Sequence, residues 1–315
     1  MTETALFTDD HWPRAGRWPT ADALAASDTV DVGVIGVPTW RTSLSATGAH
    51  ATPSAVRDAV QRYGTFAAGT DWPTVADFGD VVEPDGDGES EAIEAVRSAA
   101  SRASLVIALG GDNALTYSVA LGAAGERLRE AGLITIDAHH DLRDGVSNGS
   151  PVRRLLEAGL DGSRVVQLGI ADFANSAFYD RRAADAGITV VRRDEFERVP
   201  LERIAGDALA VAGASAGPIH VDVDVDVCDR SVAPACPASV PGGLSAYQLR
   251  RTVRLLARDP RVVSFDIAEV DATRDAVDGR TVRLCALIVL EAIAGFGERS
   301  AVPAELAEGS AGAQA

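Results

Sequence analysis

The stretch Leu133-Ile-Thr-Ile-Asp-Ala-His-His-Asp141 sets a short apolar run directly before a crowd of carboxylate and imidazole groups. Leu133–Ile136 is apolar or β-branched throughout rather than alternating, the pattern of a strand buried on both faces of a parallel sheet. The charged residues begin where the run stops. Comparable runs occur at Val30–Ile35, Leu105–Leu109, Val165–Ile170, Thr189–Val191, Ile219–Val225 and Val262–Ile267. Between the runs lie Ala-, Arg- and Glu-rich stretches that read as helices: Pro53–Tyr63, Glu89–Ala103, Ala114–Ala131, Pro151–Ala158, Ser176–Ala186, Leu201–Gly213, Ser245–Ala257 and Val282–Ala294. Ser245 followed by Gln248 fits a capping box at one helix start. This alternation predicts an α/β fold, a three-layer αβα sandwich with a mostly parallel, doubly wound sheet. The length suits one domain over 1–315, with polar tails at about 1–26 and 303–315 and a solvated turn at Asp80–Glu89.

Ligands of such sheets bind outside the carboxyl ends of the strands, and the chemically suggestive residues collect there. Gly110-Gly111-Asp112-Asn113 follows Leu105–Leu109, Asp222-Val-Asp-Val-Asp-Val-Cys-Asp229 closes the Ile219 run, and Asp266 and Glu269 close the Val262 run. Strand alternation predicts that Asp137, His139 and Asp141 share one direction, as do Asp222, Asp224 and Asp226. Carboxylates crowded into one small volume repel, and a bound cation is the usual remedy. Oxygen donors with one imidazole favour a hard or borderline divalent ion such as Mn²⁺. Two such ions about 3.5–4 Å apart would use the carboxylates available and bring a bridging water near neutral pKa, which makes hydrolysis the leading reaction type. The competing reading is a hydrogen-bonded network without metal, which the number of carboxylates in one crevice disfavours. His140, on the opposite face from His139, reads as a packed or hydrogen-bonded residue and His220 as structural. Asp222, one step deeper on the same side, reads equally as support for the ligands or as a ligand itself, and Asp229 as support or a turn cap. Gly110 and Gly111 give a strand-to-helix turn its freedom and lack the Lys-Ser/Thr of a phosphate loop.

Composition narrows the partners. The net charge of -17 arises from 46 acidic against 29 basic residues, all of the latter arginine, a surface that repels nucleic acid. Abundant acid without lysine fits either a high-salt cytoplasm or a GC-rich genome. No run approaches the ~20 apolar residues that span a bilayer, and Met1–Asp10 lacks the basic and apolar regions of a secretion signal, so the expectation is a cytoplasmic protein with no membrane partner. Cys228 and Cys236 are spaced like no zinc pattern and read, with Cys285, as buried thiols.

Taken together, Gly110-Gly111-Asp112, Asp137-Ala-His-His-Asp141, Asp224-Val-Asp226-Val-Cys-Asp229 with Ala233-Pro234, Pro241-Gly-Gly-Leu244 and Asp266-Ile-Ala-Glu269-Val resemble the ureohydrolases, the arginase and agmatinase family, in order and spacing from about Val30 to Gly295. The resemblance implies an arginase-like fold, two Mn²⁺ per subunit and hydrolysis of a C–N bond in a guanidinium or amidine. It implies that Asp137 and Asp224 bridge the ions, with Asp141 on one and His139 and Asp226 on the other, and that Glu269 holds the cationic group of a small-molecule substrate. Asp141-Leu-Arg143-Asp144, Ser147-Asn-Gly-Ser-Pro151-Val-Arg153 and Leu168-Gly-Ile-Ala-Asp-Phe-Ala-Asn175 look most like the branch that degrades histidine through a formimidoyl amidine bearing two carboxylates. Arg143 and Arg153 are the cations expected to meet those carboxylates and to repel the ammonium end of arginine or agmatine. Asn113 stands where arginases place a metal-ligating histidine. Its amide oxygen is the expected substitute, on a more weakly bound ion. Asn148 stands where they place a histidine proton shuttle; it is left to contact substrate, and Asp141 is expected to carry the proton to the leaving amine. The alternatives are an agmatinase or guanidino-acid hydrolase and a catalytically silent relative. A symmetric homo-oligomer is the default assembly.

Overall fold

The computed structural model describes residues 9–25 and 28–299. The strands are β1 (Val30–Val37), β2 (Val75–Asp80), β3 (Ala103–Gly110), β4 (Gly132–Ile136), β5 (Val165–Ile170), β6 (Thr189–Arg192), β7 (Ile219–Asp224) and β8 (Val262–Ala268). They form one eight-stranded sheet in the order β2-β1-β3-β8-β7-β4-β5-β6, parallel at every junction. The helices are α1 (Thr52–Val60), α2 (Glu89–Ala100), α3 (Leu115–Ala124), α4 (Pro151–Ala158), α5 (Ala177–Asp185), α6 (Leu201–Ala212), α7 (Ala246–Ala257) and α8 (Arg280–Gly297).

Period-two alternation divides each strand between two helical layers. Leu105 and Ile107 of β3 and Val221 and Val223 of β7 pack with α1, α6, α7 and α8, whereas Val106, Ala108 and Leu133 pack with α2, α3, α4 and α5. That is the three-layer αβα sandwich expected from sequence. On β7 the residues between the valines are His220, Asp222 and Asp224, so this strand is apolar on one face and polar on the other while buried on both. The capping box of α7 is present: Ser245 Oγ accepts from the Gln248 N–H at 3.2 Å, and the Ser245 N–H donates to Gln248 Oε1 at 2.9 Å.

Several boundaries differ from the sequence reading, each for a local reason. β2 was not anticipated, because an edge strand needs only one apolar face; its Asp77 and Asp80 pair with Arg57 of α1 at 2.7 and 2.5 Å. The expected helix Ala114–Ala131 stops at Ala124, where Gly125 takes φ 55° and the chain continues as a 3-10 turn. The Ile219 run ends as a strand at Asp224 and tightens into a 3-10 turn over Val225–Val227. Of the polar tails, 303–315 lies outside the described residues. Within 9–25 the chain is not a free extension, since Ala15 is fully buried and Trp18 packs against the main core. All three cysteines are buried and unpaired. Among the described residues no helix is long and apolar enough to cross a membrane.

The strand order decides where chemistry can occur. β3, β8, β7 and β4 are consecutive neighbours, so the segments after them share the centre of the sheet's carboxyl edge. Gly111 joins two of these segments: its carbonyl accepts the Glu269 N–H at 2.9 Å, and the next N–H, of Asp112, donates to the Thr39 carbonyl at 2.8 Å. A Cβ on Gly111 would lie 1.8 Å from that Thr39 oxygen, a backbone atom that cannot swing away. Gly111→Ala should therefore destabilise the fold by about 1–3 kcal/mol, read from the midpoint of urea unfolding. A wild-type midpoint would show that the approach is not a packing constraint.

Candidate metal centre and substrate cavity

β4 delivers Asp137 to the edge of the sheet, and there the chain turns on its own side chain. Asp137 Oδ1 accepts the His139 N–H at 2.7 Å and lies 3.4 Å from His139 Nδ1. β7 uses the same device. Asp224 Oδ1 accepts the Asp226 N–H at 2.8 Å, which folds Asp226 back until its Oδ2 is 3.1 Å from His139 Nδ1. The expectation that simple strand alternation aims these residues is thereby corrected: β4 has ended before Asp137 and β7 before Asp226, and side-chain-to-backbone turns do the aiming. Asp137, His139 and Asp226 offer ligand atoms all within 4.8 Å of one another. Asp141 and Glu269 hold left-handed backbone, φ 53° and 60°, a conformation that non-glycine residues adopt at a cost when the surrounding structure imposes it.

Burying so many acids together shifts their protonation. Burial, followed by the charge of Asp226, pushes Asp137 up to about 6. Asp141 and Asp224 are held well above the ordinary carboxylate range, by burial first and by neighbouring carboxylates second. For His139 burial alone lowers the pKa, but the charge of Asp226 and hydrogen bonds to Asp137 and Asp226 prevail and raise it to about 12. Asp226 is raised by burial and lowered by the charge and hydrogen bond of His139, with a net downward shift. Among the described residues no N–H donor reaches a buried oxygen of Asp226, Oδ1. An imidazole nitrogen, convergent carboxylates and an orphaned carboxylate oxygen together fit a divalent ion of the hard or borderline kind.

His139 and Asp226 line a cavity of about 450 Å³, together with Asp141, Asp224, Glu269 and Arg143. Glu269 is buried, and both its donors reach the same oxygen: Asn148 Nδ2 at 2.5 Å and the Asn113 N–H at 3.0 Å. Burial pushes Glu269 up to about 7, against the pull of these two hydrogen bonds. Asn148 Oδ1 also accepts the Leu44 N–H at 3.0 Å, so this amide links the cavity wall to Glu269. Arg143 lies across Gly149, where a Cβ would come within 2.7 Å of its Cδ, and among the described residues its guanidinium has no carboxylate partner.

Two expectations change on the structure. Arg153 does not line the cavity: it donates to the carbonyls of Arg143 and Gly145 and pairs with Glu157, so it braces the loop that carries Arg143. Asn113 meets the cluster as a donor, Nδ2 to Asp141 Oδ2, while the amide oxygen expected as a ligand accepts from Thr116 Oγ1 at 2.8 Å. The supporting residues also separate. His140 Nδ1 bonds Gln167 Oε1 at 2.6 Å, and His220 bridges Ser264 and Asp266 at 2.8 and 2.9 Å. Asp229 accepts the N–H groups of Ser231 and Gly242 at 2.8 and 2.6 Å. Asp222 is fully buried one step below Asp224, where burial and the neighbouring Asp266 hold its carboxyl well above the ordinary range. Asn175 and Arg182 grip the 138–142 backbone from the segment after β5; the sequence marked Asn175 only as the end of the Leu168–Asn175 segment and gave neither residue a role.

The fold has counterparts. The chain belongs to the arginase family, whose model matches residues 30–295. Among its relatives is the formimidoylglutamase of Halalkalibacterium halodurans, 34% identical over 84% of this chain and 86% of that protein. The guanidinopropionase of Pseudomonas aeruginosa is 32% identical over 92% of this chain and 95% of that protein. The crystal structure of formimidoylglutamase from Bacillus subtilis superposes with TM-score 0.85 at 29% identity, covering 94% of this chain and 96% of that one.

The protonation pattern predicts how the metal-free chain responds to pH. Asp137 and Glu269, with unfolded values near 4, bind protons more tightly when folded, at about 6 and about 7. The folded state therefore holds more protons in that window, and the stability these groups contribute is complete below it and lost as pH rises through it. His139, raised above its unfolded value, works in the same direction. Metal-free protein should melt at a lower temperature at pH near 7.5 than near 5.5, with added Mn²⁺ raising Tm more at the higher pH. Equal melting at both, with or without Mn²⁺, would contradict this account of the cluster. Asn113→His should tighten Mn²⁺ binding in a calorimetric titration, and unchanged affinity would place Asn113 away from the ions.

Proposed function

We propose that this chain is a formimidoylglutamase, converting N-formimidoyl-L-glutamate and water to L-glutamate and formamide in histidine degradation. The observation that carries this reading is the cavity itself, where a buried carboxylate, Glu269, stands beside the ligand cluster and an uncompensated guanidinium, Arg143, stands on the wall. A substrate with an amidinium at one end and carboxylates at the other matches that polarity. Two Mn²⁺ ions held by Asp137, His139, Asp141, Asp224 and Asp226 would supply a water acidic enough to attack the amidine carbon near neutral pH.

The chain's own residues do the rest. Glu269 receives the amidinium through Oε2, which has no hydrogen bond among the described residues, while Asn148 and the Asn113 N–H hold Oε1 in place. Arg143 pairs with a substrate carboxylate and so fixes the reacting carbon over the cluster. Asp141, at the cavity surface and fixed by Asn113, takes the proton of the attacking water and passes it to the departing amine of glutamate. Asn148 has no titratable proton and serves in binding, through Glu269 and the Leu44 backbone.

A guanidino-acid hydrolase is the second reading, favoured because Arg143, without a carboxylate partner among the described residues, suits a single carboxylate equally well and because the guanidinopropionase relative spans nearly the whole chain. Mn²⁺-loaded protein given N-formimidoyl-L-glutamate, 3-guanidinopropionate, arginine and agmatine separates them: formamide from the first alone supports the proposal, and urea from the second replaces it. Arg143→Ala should raise KM for the acidic substrate by about 10- to 100-fold, the worth of a charge-assisted contact, with metal content unchanged. An unaltered KM removes Arg143 from carboxylate binding.

A further inference from the structure

We infer that Asn175 is the positioning residue of His139, holding both peptide groups of that residue through one side-chain amide. Asn175 Nδ2 donates to the Ala138 carbonyl at 2.8 Å and Asn175 Oδ1 accepts the His140 N–H at 3.1 Å, so one side chain grips the chain immediately before and immediately after His139. The same Nδ2 donates to the Ala171 carbonyl at 3.1 Å, and the Ala171 N–H returns a bond to Ala138 at 3.0 Å, which anchors the grip to the end of β5. His139 needs such a grip. Its side chain is 25% exposed on the cavity lining, and from within the segment its own N–H is held by Asp137. The backbone of His139 is thus set by Asp137 on one side and Asn175 on the other, and that backbone aims Nδ1 at Asp137 and Asp226.

Only an amide satisfies this geometry. Aspartate at 175 keeps the acceptor for the His140 N–H but sets an anion against the Ala138 carbonyl; alanine loses both contacts. Asn175 also lines the cavity beside Phe173 and Ala174, and Phe173 holds φ 64° with its ring fully exposed. The segment that walls the cavity and the segment that carries the metal-facing imidazole are therefore one hydrogen-bonded unit.

This inference rests on His139 being a metal ligand, and the test separates the two. Metal-free wild type, Asn175→Ala, Asn175→Asp and the remote cap variant Ser245→Ala are titrated with Mn²⁺ by calorimetry, with Tm and steady-state constants measured in parallel. We expect both Asn175 variants to bind Mn²⁺ about tenfold or more weakly, the range for residues that orient ligands, and to lose kcat more than KM. Ser245→Ala should lower Tm and leave Mn²⁺ affinity unchanged, which distinguishes positioning from general destabilisation. Wild-type affinity in a folded Asn175→Ala or Asn175→Asp overturns the role of Asn175 alone. Absence of Mn²⁺ binding by wild type overturns the metal reading and the inference with it. If alanine prevents folding, the near-isosteric aspartate variant decides.

Discussion

The structure turns on the cost of holding several carboxylates out of water in one place. Asp137, Asp224 and Asp226 are buried at the ends of two adjacent strands, with Asp141 and Glu269 close by. Like charges at that separation oppose folding unless something positive stands among them. The imidazole of His139 touches two of these acids directly, and their charge and hydrogen bonds raise its pKa against the opposing effect of burial. A divalent ion answers that demand better than one proton does, and a cluster tolerated in the fold despite its cost is evidence of use.

The parallel sheet makes the concentration of charge possible. Every strand points its carboxyl end the same way, so the residues following β3, β8, β7 and β4 meet without long excursions. The helices remain apolar where they face the strands, and the polar chemistry gathers at one edge of the sheet and on the polar face that β7 shares with Ser264 and Asp266 of β8. What holds the edge together is hydrogen bonding rather than packing. Asp137 and Asp224 each accept from an N–H two residues on, Asn148 spans from Leu44 to Glu269, and Arg153 ties down the carbonyls of the Arg143 loop. Such a frame fixes directions that apolar contacts leave free, and it sustains the left-handed backbone at Asp141 and Glu269.

Much of this was legible in the sequence. The apolar runs gave seven of the eight strands, and the composition between them gave the helices; β2 escaped because an edge strand carries half the apolar signal. The residue types at 137–141, 222–229 and 266–269 announced a cation and the side of the sheet on which to find it. Their aiming was not legible, since alternation assumes an extended chain and the chain at Asp137 and Asp226 is already turning. The two arginines illustrate the same limit. Arg143 and Arg153 are equivalent as charges in a sequence, yet one lines the cavity without a carboxylate partner and the other is spent on its own loop.

By itself the sequence determined the class of fold, the edge of the sheet that carries chemistry, the family and the kind of ion its donors suit, because these follow from local pattern and residue chemistry. Tertiary structure alone decided which arginine lines the cavity without a carboxylate partner among the described residues, that Asn113 reaches the cluster through Asp141, and that Asn175 holds the peptide groups around His139 from a segment 36 residues later in the chain. The physical reason is that hydrogen bonds and ion pairs between distant segments depend on distance and direction in space, and a linear pattern records neither.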